Sequence, residues 1–355
     1  MSASLVGSEM CIRDSSYIDL NPSYDESQNA YPIRISVKEG TDMTSLAPIF
    51  ELTPGATISP ASGSVQNFTT PVRYTVTSED KAWHRVYAIT AREQKASNIP
   101  TTYHFEKVRI MQNVWQEFYE EQDSGNELTW ASGNKGFKWA MSEAATEDYP
   151  TTQIDNGKTG KCVKLETRLT GDLGNMVGMP IAAGNLFIGS FDMLNAITNP
   201  LSATRFGTPF YNKPLRLTGY YKYKAGEQFY ENGEYTSRKD IFNIYAIFYD
   251  GVKYDSAGKG TDVTLDGNLP NQNYEHSSMV ALALVSNPQE TEGDEWKFFD
   301  IPFDYQRYGK KIDEARLAKG EYKIGIIFAS SKDGATFEGA PGSTLLIDEV
   351  ELIYE

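Results

Sequence analysis

The chain has few of the residues that nucleophilic and metal-dependent enzymes use. Its 355 residues include only 2 cysteines, Cys11 and Cys162, and only 3 histidines. Two widely separated cysteines exclude a disulfide framework and a cysteine-based metal motif. The histidines, His84, His104 and His276, belong to none of the usual catalytic motifs of hydrolases or zinc enzymes.

Long apolar runs and an excess of positive charge are also missing. No window approaches the roughly 18 uncharged apolar residues of a membrane-spanning helix. Lys and Arg number 33 against 48 Asp and Glu, so the net charge is −15. Repulsion by this charge opposes binding to nucleic acid and to anionic membranes. The charge suits a neutral ligand, a cation, or solubility alone.

Tyrosine is abundant instead, with 22 Tyr against 5 Trp. Short runs of β-branched and aromatic residues lie between Gly, Pro, Asp and Ser, which is typical of β-strands. The clearest are WKFFDIPF at 296–303, EYKIGIIFASS at 321–331 and STLLIDEVELIY at 343–354. We therefore predict an all-β chain in which most tyrosines pack in the core or across strands.

The length exceeds that of one ordinary core and predicts two domains. Residues 1–29 form a leader or linker. Alternating strands separated by turn signals predict a small immunoglobulin-like β-sandwich at residues 30–95. A larger domain follows at residues 102–355. Its long segment at 169–213, rich in Gly, Asn and Pro, is expected to wrap a sheet edge or form one wall of a binding groove.

Five motifs of the larger domain are shared with a known family. They are WASGNKGF at 130–137, KLETR at 164–168, PIAAGNLFIGSF at 180–191, LTGYYKYKAGE at 217–227 and SSKDGATFEGAPGSTL at 330–345. In these the domain resembles the putative carbohydrate metabolism domain family, found mainly in glycan-degrading Bacteroidetes. Its closing strands resemble those of carbohydrate-binding jelly rolls, which implies a jelly-roll β-sandwich. The small domain is similar to Ig-like modules that precede catalytic or glycan-binding domains in surface proteins of these bacteria.

The first fifteen residues, MSASLVGSEMCIRDS, show no helix or strand period. They resemble translated adaptor sequence that contaminates proteins predicted from environmental DNA. On this interpretation the true start, with any signal peptide or lipid-anchored cysteine, has been lost. Cys162 is then the only native cysteine, and we expect it to be a small packed residue of a strand.

The expected location follows from the same resemblance. The Bacteroidetes family that the larger domain resembles consists of exported proteins. Asp255-Ser256-Ala257 also resembles a short O-glycosylation motif of these bacteria. We therefore expect an exported protein, either a lipoprotein on the outer-membrane surface or a protein of the periplasm.

Two strands of the larger domain place tyrosines on a polar face. The two-residue period puts Tyr220 beside Arg216, with Tyr221 on the opposite, apolar side. Tyr245 lies beside Asn243 in the same way. Sugar rings stack on aromatic side chains while neighbouring polar groups bind their hydroxyls. The four residues on the polar faces therefore predict a carbohydrate-binding groove; the alternative is a sheet face covered by the segment at 169–213.

The loop WASGNKGFKW at 130–139 is a second candidate for sugar binding. Trp130 and Trp139 could form an aromatic platform, to which Asn134 adds polar contacts. The alternative is a tryptophan plug over one end of the sandwich.

The only cofactor that we consider is a structural calcium ion. In many carbohydrate-binding jelly rolls, an acidic residue on the first strand and another on the last hold calcium far from the sugar. The resemblance places Glu106 and Asp348 in those positions, and calcium prefers oxygen ligands. The alternative is an ordinary charge pair at a sheet edge.

The sequence leaves three classes of function open. We predict a non-catalytic protein that binds or handles glycans, with sugar stacked on aromatic residues. The first alternative is a carbohydrate-active enzyme resembling glycoside hydrolases, which needs two carboxylates; Asp333 and Glu338 are the candidates. The second is a surface protein with an adhesive or structural role.

Overall fold

A computed structural model describes residues 24–38, 40–50, 52–94, 96–122 and 125–355. It divides them into two compact units, one with the residues up to Ala96 and the other with Ser97–Ile353. Residues 1–23 of the predicted leader or linker at 1–29, which include the adaptor-like residues 1–15 and Cys11, lie outside the described residues.

The first unit is built on one four-stranded sheet. Its strands are β1 (Tyr31–Lys38), β2 (Thr57–Ser59), β3 (Val72–Thr77) and β4 (His84–Gln94). They lie in the order β1-β4-β3-β2, with β1 parallel to β4 and the other neighbours antiparallel. Alternation buries Tyr74, Val76 and Ile89 on one face, as the period of two requires.

The predicted two-sheet sandwich is corrected to this single sheet among the described residues. The stretch between β1 and β3 forms loops apart from the short β2, because its Pro and Gly residues interrupt strand alternation. Phe50 and Phe68 from these loops pack against the buried face of the sheet. A loop therefore covers the core where a second sheet was expected.

The second unit is mostly strand. Its strands are β5 (Thr102–Tyr103), β6 (Val108–Met111), β7 (Trp115–Glu121), β8 (Glu127–Thr129), β9 (Thr151–Asp155), β10 (Lys161–Glu166), β11 (Arg168–Leu169), β12 (Ile181–Ala182), β13 (Asn185–Phe187), β14 (Gly189–Phe191), β15 (Thr204–Phe206), β16 (Thr208–Pro209), β17 (Pro214–Lys224), β18 (Phe229–Glu231), β19 (Glu234–Thr236), β20 (Asn243–Asp250), β21 (Val252–Tyr254), β22 (Gly260–Asp262), β23 (Leu265–Asp266), β24 (Met279–Leu284), β25 (Lys297–Pro302), β26 (Tyr322–Ala329) and β27 (Thr344–Tyr354). The prediction of a chain dominated by β-strands is confirmed.

Helices in the described residues are short. They are α1 (Asn134–Ala140), α2 (Gly171–Met176), α3 (Met193–Thr198) and α4 (Glu314–Leu317), with 3-10 turns at Thr146–Asp148, Pro200–Ser202, Pro270–Gln272 and Gly334–Thr336. Within the described ranges, none has the length and apolar character that crossing a membrane would require.

Two larger sheets organise this unit. One has the order β25-β17-β27-β10-β9, with β5 also paired to β27; the other has the order β13-β26-β20-β24, with β16 also paired to β26. All pairings of the second sheet are antiparallel. The connectivity of a jelly roll stays a prediction.

The two central strands, β17 and β20, differ in the burial of their outer faces. In β17 burial alternates, with Tyr221 buried and Tyr220 half-buried, as the sequence predicted. In β20 every residue from Asn243 to Tyr249 is buried. Phe206 from the segment at 169–213 packs over one face of β20 together with Leu265, Leu269 and Tyr274, and Phe187 of β13 lies on that same face of the sheet. The face is therefore covered, in part by that segment, and the predicted polar face of β20 is wrong.

Cys162 is a packed strand residue, as predicted. It lies in β10, is a free thiol and is fully buried. Burial raises the pKa of the Cys162 thiol to about 12, so the thiolate needed for reactivity is not formed near neutral pH.

Tyr220 and Tyr221 point to opposite faces of β17, so replacing each with alanine should reduce the unfolding free energy by different amounts. Tyr221 packs against Phe242 at a ring-centroid distance of 4.8 Å, so Tyr221→Ala leaves a core cavity. We expect a loss of about 3–5 kcal/mol in unfolding free energy, against about 1 kcal/mol for Tyr220→Ala. Denaturant unfolding of both variants measures the difference. Equal losses would contradict the assigned facing.

Candidate functional site

The predicted sugar-binding tyrosines lie in different sheets. Tyr220 and Arg216 belong to β17 in the six-stranded sheet, whereas Tyr245 and Asn243 belong to β20 in the five-stranded sheet. The prediction that Tyr220 and Tyr245 line one shared face is therefore wrong. Both strands carry apolar residues at alternate positions, and the sequence pattern alone did not show that they join different sheets.

Tyr220 contributes to an aromatic pair on the outer face of its sheet. Its ring centroid lies 5.1 Å from that of Phe298, whose side chain is 53% exposed. Lys158 Nζ lies 4.8 Å from the centroid of the Tyr220 ring. Arg216 Nε donates a hydrogen bond of 2.6 Å to Asp300 Oδ1, so its charge is paired within the sheet. Tyr220 is half-buried and Phe298 is exposed, so this aromatic pair is accessible to solvent.

Two of the three residues predicted in the 130–139 loop are structural. Trp130 is buried, and its ring centroid lies 5.0 Å from that of Tyr103. Asn134 is also buried; its amide donates to Thr151 O at 2.7 Å and accepts from Thr151 N at 3.1 Å. The predicted platform is wrong for both, because the segment enters α1 with Asn134 on its inner side. Trp139, near the end of α1, is 39% exposed.

Trp139 lies on the wall of a cleft in this unit. The cleft has a volume of about 130 Å³ and lies between the three short helices α1, α2 and α3 and the 3-10 turn at Gly334–Thr336. Its larger side chains are apolar: Phe137, Trp139, Met179, Ile181, Phe191 and Phe337. The segment at 169–213 therefore contributes a wall of a groove, as the sequence suggested.

A second cavity of about 80 Å³ adjoins the first. Its lining includes the rings of Phe187, Phe206 and Tyr245 and the polar residues Asn243, Ser331 and Lys332. Asn185, Thr204 and Ala335 line both cavities, so the two share a wall. We call the two together the joined cleft. It brings Trp139, Tyr245 and Asn243 into one region, and it leaves out the other predicted ligand-binding residues.

Small residues create the space in the joined cleft. Ala182, Ala183 and Asn185 lie within the motif PIAAGNLF, where larger side chains would fill the cavity. A Cβ added to Gly334 would lie 2.3 Å from Ala183 Cβ, so the loop can approach β12 and β13 this closely only as glycine. Sequence reasoning missed these residues, because small side chains carry no chemical signal of a cavity.

Polar groups in the joined cleft are few, and most of them already form hydrogen bonds within the protein. Asn185 Oδ1 accepts from Gly133 N at 2.8 Å and its Nδ2 donates to Ala183 O at 3.2 Å, which ties the start of α1 to β13. Thr204 Oγ1 is buried without a hydrogen-bond partner among the described residues. Burial raises the pKa of Tyr245 well above its usual value, so its phenol stays protonated and can donate.

One buried carboxylate holds the loop that closes the cleft. Asp240 Oδ2 accepts hydrogen bonds from Ser331 Oγ, Ala340 N and Ser343 Oγ at 2.6–2.7 Å. The residues that wall the joined cleft, 334–337, lie between these anchors. Asp240 therefore fixes the loop from both ends.

The candidate catalytic carboxylates lie on this same loop. Asp333 forms an ion pair with Arg238. Glu338 lies close in the chain, and its backbone N donates to Asp333 O at 3.3 Å. Neither residue lines either cavity, and no carboxylate does so among the described residues.

The candidate calcium ligands meet at one turn, at residues 156–161. Glu106 Oε1 accepts from Lys161 N at 2.7 Å, and Asp348 Oδ2 accepts from Thr159 N at 3.0 Å. No group of three acidic, histidine or cysteine side chains gathers as a metal site in the described ranges. The two carboxylates thus anchor the turn, and a calcium ion beside them stays a prediction.

Asp348 predicts a pH dependence of stability. Its burial raises the pKa of the carboxyl to about 6, above the usual value near 4. Between about pH 4 and pH 6 the unfolded carboxyl ionises while the folded one stays protonated, so stability from this residue falls as pH rises. Asp348→Asn should remove that fall, as measured by denaturant midpoints from pH 4 to pH 7. Parallel profiles for wild type and variant would contradict this assignment.

Calcium gives a second prediction at the same residues. A bound cation would offset the cost of ionising the buried Asp348 at neutral pH. We expect millimolar Ca²⁺ at pH 7 to raise the melting temperature of the wild type and not that of Asp348→Asn, with Mg²⁺ as the control. An unchanged wild-type melting temperature, or an equal rise in the variant, would rule out calcium here.

Comparisons with known proteins agree with the resemblance seen in the sequence. A family model described as putative carbohydrate metabolism domain matches residues 104–353, and one described as SGBP, N-terminal, matches residues 19–91. SGBP denotes a surface glycan-binding protein. No curated protein is significantly similar to the chain.

Two crystal structures of Bacteroides proteins are similar over most of their length. A putative glycoside hydrolase from Bacteroides vulgatus is 50% identical, covers 73% of this chain and 100% of its own, and has a TM-score of 0.67. A putative glycoside hydrolase from Bacteroides thetaiotaomicron is 44% identical, covers 100% of this chain and 96% of its own, and has a TM-score of 0.65. The chain therefore belongs to the putative carbohydrate metabolism domain family, and it carries the SGBP N-terminal module ahead of that domain.

Proposed function

We propose that the second unit is a non-catalytic glycan-binding module that holds its ligand in the joined cleft. The observation that carries this proposal is the lining, which combines aromatic rings with a few polar groups and includes no carboxylate among the described residues.

The smaller cavity places polar groups beside buried aromatic rings. Phe187, Phe206 and Tyr245 line it but are at most 3% exposed, so they close it from the core side. Lys332 and the protonated Tyr245 phenol can bind hydroxyl groups, and Asn243 is held in place by a hydrogen bond of 3.0 Å to Tyr274 Oη. On this proposal Tyr245 and Asn243 bind sugar in an enclosed cavity, in place of the open sheet face that the sequence suggested.

The N-terminal module supports a location at the cell surface. The family model that it matches is that of surface glycan-binding proteins. The motif Asp255-Ser256-Ala257 lies in an exposed turn between β21 and β22, where a modifying enzyme could reach it. We propose an exported surface protein whose second unit is a jelly roll that binds carbohydrate.

Hydrolysis is the second candidate, because the two similar solved proteins are named putative glycoside hydrolases. A glycosidase needs two carboxylates about 5–10 Å apart across the scissile bond. Asp333 and Glu338 flank the cleft wall at 334–337, which makes them the pair to test. In this structure the Asp333 carboxylate is paired with the Arg238 guanidinium.

A glycan array with cavity-filling variants tests the binding proposal. Ala335 lines both cavities, so Ala335→Leu should occupy space that the ligand needs and abolish the array signals of the wild type. Ala315→Leu is the matched control, because Ala315 is an exposed residue of α4 outside the cleft. Wild-type binding that survives Ala335→Leu, or an array without signals, would count against the proposal.

The same ligands decide between binding and hydrolysis. We expect wild-type protein to leave each array ligand intact during long incubation, as followed by product analysis. Turnover that disappears in Asp333→Asn or Glu338→Gln would establish the enzyme instead.

A further inference from the structure

We propose that the bound glycan is acidic, and that a carboxylate or sulfate group on it bonds Lys332 in the smaller cavity. This inference rests on the proposed function and adds the chemical class of the ligand. It follows from the polar groups that line this cavity, which supply a positive charge and hydrogen-bond donors without a carboxylate to match them.

Lys332 is the only charged side chain that lines either cavity in the described part of the chain. It lies in the turn after β26, where its backbone N donates to Ile241 O at 2.8 Å and so fixes the start of the side chain. Its ammonium group has no ion-pair or hydrogen-bond partner among the described residues. An ammonium carries three N–H donors and no acceptor, so an oxyanion is the partner that suits it best.

Two carboxylates near the cavity already have partners of their own. Asp333, next to Lys332 in the chain, forms an ion pair with Arg238. Asp266 of β23 accepts hydrogen bonds from Ser202 Oγ at 3.0 Å and from Asn268 N at 3.1 Å. Asp and Glu outnumber Lys and Arg by 48 to 33 in the chain, yet the smaller cavity is lined by one cation and no carboxylate among the described residues. The negative charge that matches Lys332 is therefore expected from the ligand.

Two neutral donors of the same cavity also lack acceptors. Asn243 is 5% exposed, and one N–H of its amide donates to Tyr274 Oη at 3.0 Å, which leaves the second N–H without a partner among the described residues. The Thr204 hydroxyl is buried and likewise unpartnered within the described ranges. A buried donor without an acceptor is unfavourable, and a carboxylate or sulfate can accept several hydrogen bonds at once.

The smaller cavity has room for such a group. A buried water needs about 10–15 Å³ of this kind of volume. The volume of about 80 Å³ therefore admits a carboxylate or a sulfate. The inference places only the acidic group there, which requires less space than a whole sugar ring.

A glycan array with paired acidic and neutral probes tests this inference. The pairs are polygalacturonate with its methyl ester, alginate with its carboxyl-reduced form, and dextran sulfate with dextran, so they separate a carboxylate from a sulfate. In about 150 mM NaCl we expect the full chain to bind at least one acidic probe at least about tenfold more tightly than its neutral partner, because hydrogen bonds to a charged group contribute about this much. The net charge of −15 repels polyanions elsewhere on the surface, so this preference reports a local cation.

Substitutions of lysine assign the preference to the cavity. Lys332→Met should reduce the ratio of acidic to neutral binding to about threefold or less, whereas Lys332→Arg, which keeps the charge, should retain most of it. Lys253→Met is the matched control, because Lys253 is an exposed lysine of β21 that lines neither cavity. Unchanged melting temperatures of all three variants would show that the fold is intact.

Each other outcome has a definite meaning. Equal binding of the acidic and neutral members of every pair overturns the inference, and so does an acidic preference that Lys332→Met leaves unchanged or that Lys253→Met reduces equally. If only neutral glycans bind, the inference fails and the proposed function stands. If no glycan binds, both fail.

Discussion

The joined cleft of this protein depends on one buried carboxylate. Asp240 is only 2% exposed, and burial raises the pKa of its carboxyl, which shows the cost of placing a charge there. Two serine hydroxyls and two backbone N–H groups offset that cost, and three of these donors belong to the loop at 331–343. The loop is held at both ends, so its middle, with Gly334 and Ala335, remains against β12 and β13 as a wall of the joined cleft.

The two large sheets of the second unit are completed differently on their outer faces. One face of the five-stranded sheet is covered by Phe206 of the segment at 169–213 and by Leu265, Leu269 and Tyr274. Ala183, Gly334 and Ala335 beside this cover have small side chains, and the space that remains is the joined cleft. The six-stranded sheet keeps an outer face on which Phe298 is exposed beside Tyr220. An enclosed cleft removes more ligand surface from water than an open face, so we expect the covered sheet to offer the stronger site.

The sequence predicted the parts of this structure that depend on local pattern. Alternation in β17 correctly separated buried Tyr221 from half-buried Tyr220, and the burial of Cys162 in a strand was also foreseen. Alternation could not show which segment covers a sheet, so Tyr245 was assigned to an open polar face although it lies in an enclosed cavity. Trp130 and Asn134 were misplaced because a tryptophan and an asparagine in a glycine-containing loop fit a surface platform and a packed helix start equally well. The small residues of PIAAGNLF gave no chemical signal by themselves, since a cavity is made by side chains that are absent.

We expect ligand to enter the joined cleft and not the open face of the six-stranded sheet. A crystal structure of the full chain with the strongest ligand from the glycan array tests this expectation. It should show density for the ligand in the joined cleft, beside Tyr245 and Lys332. Density for the ligand on Tyr220 and Phe298, with the joined cleft unchanged from its unliganded form, would contradict it.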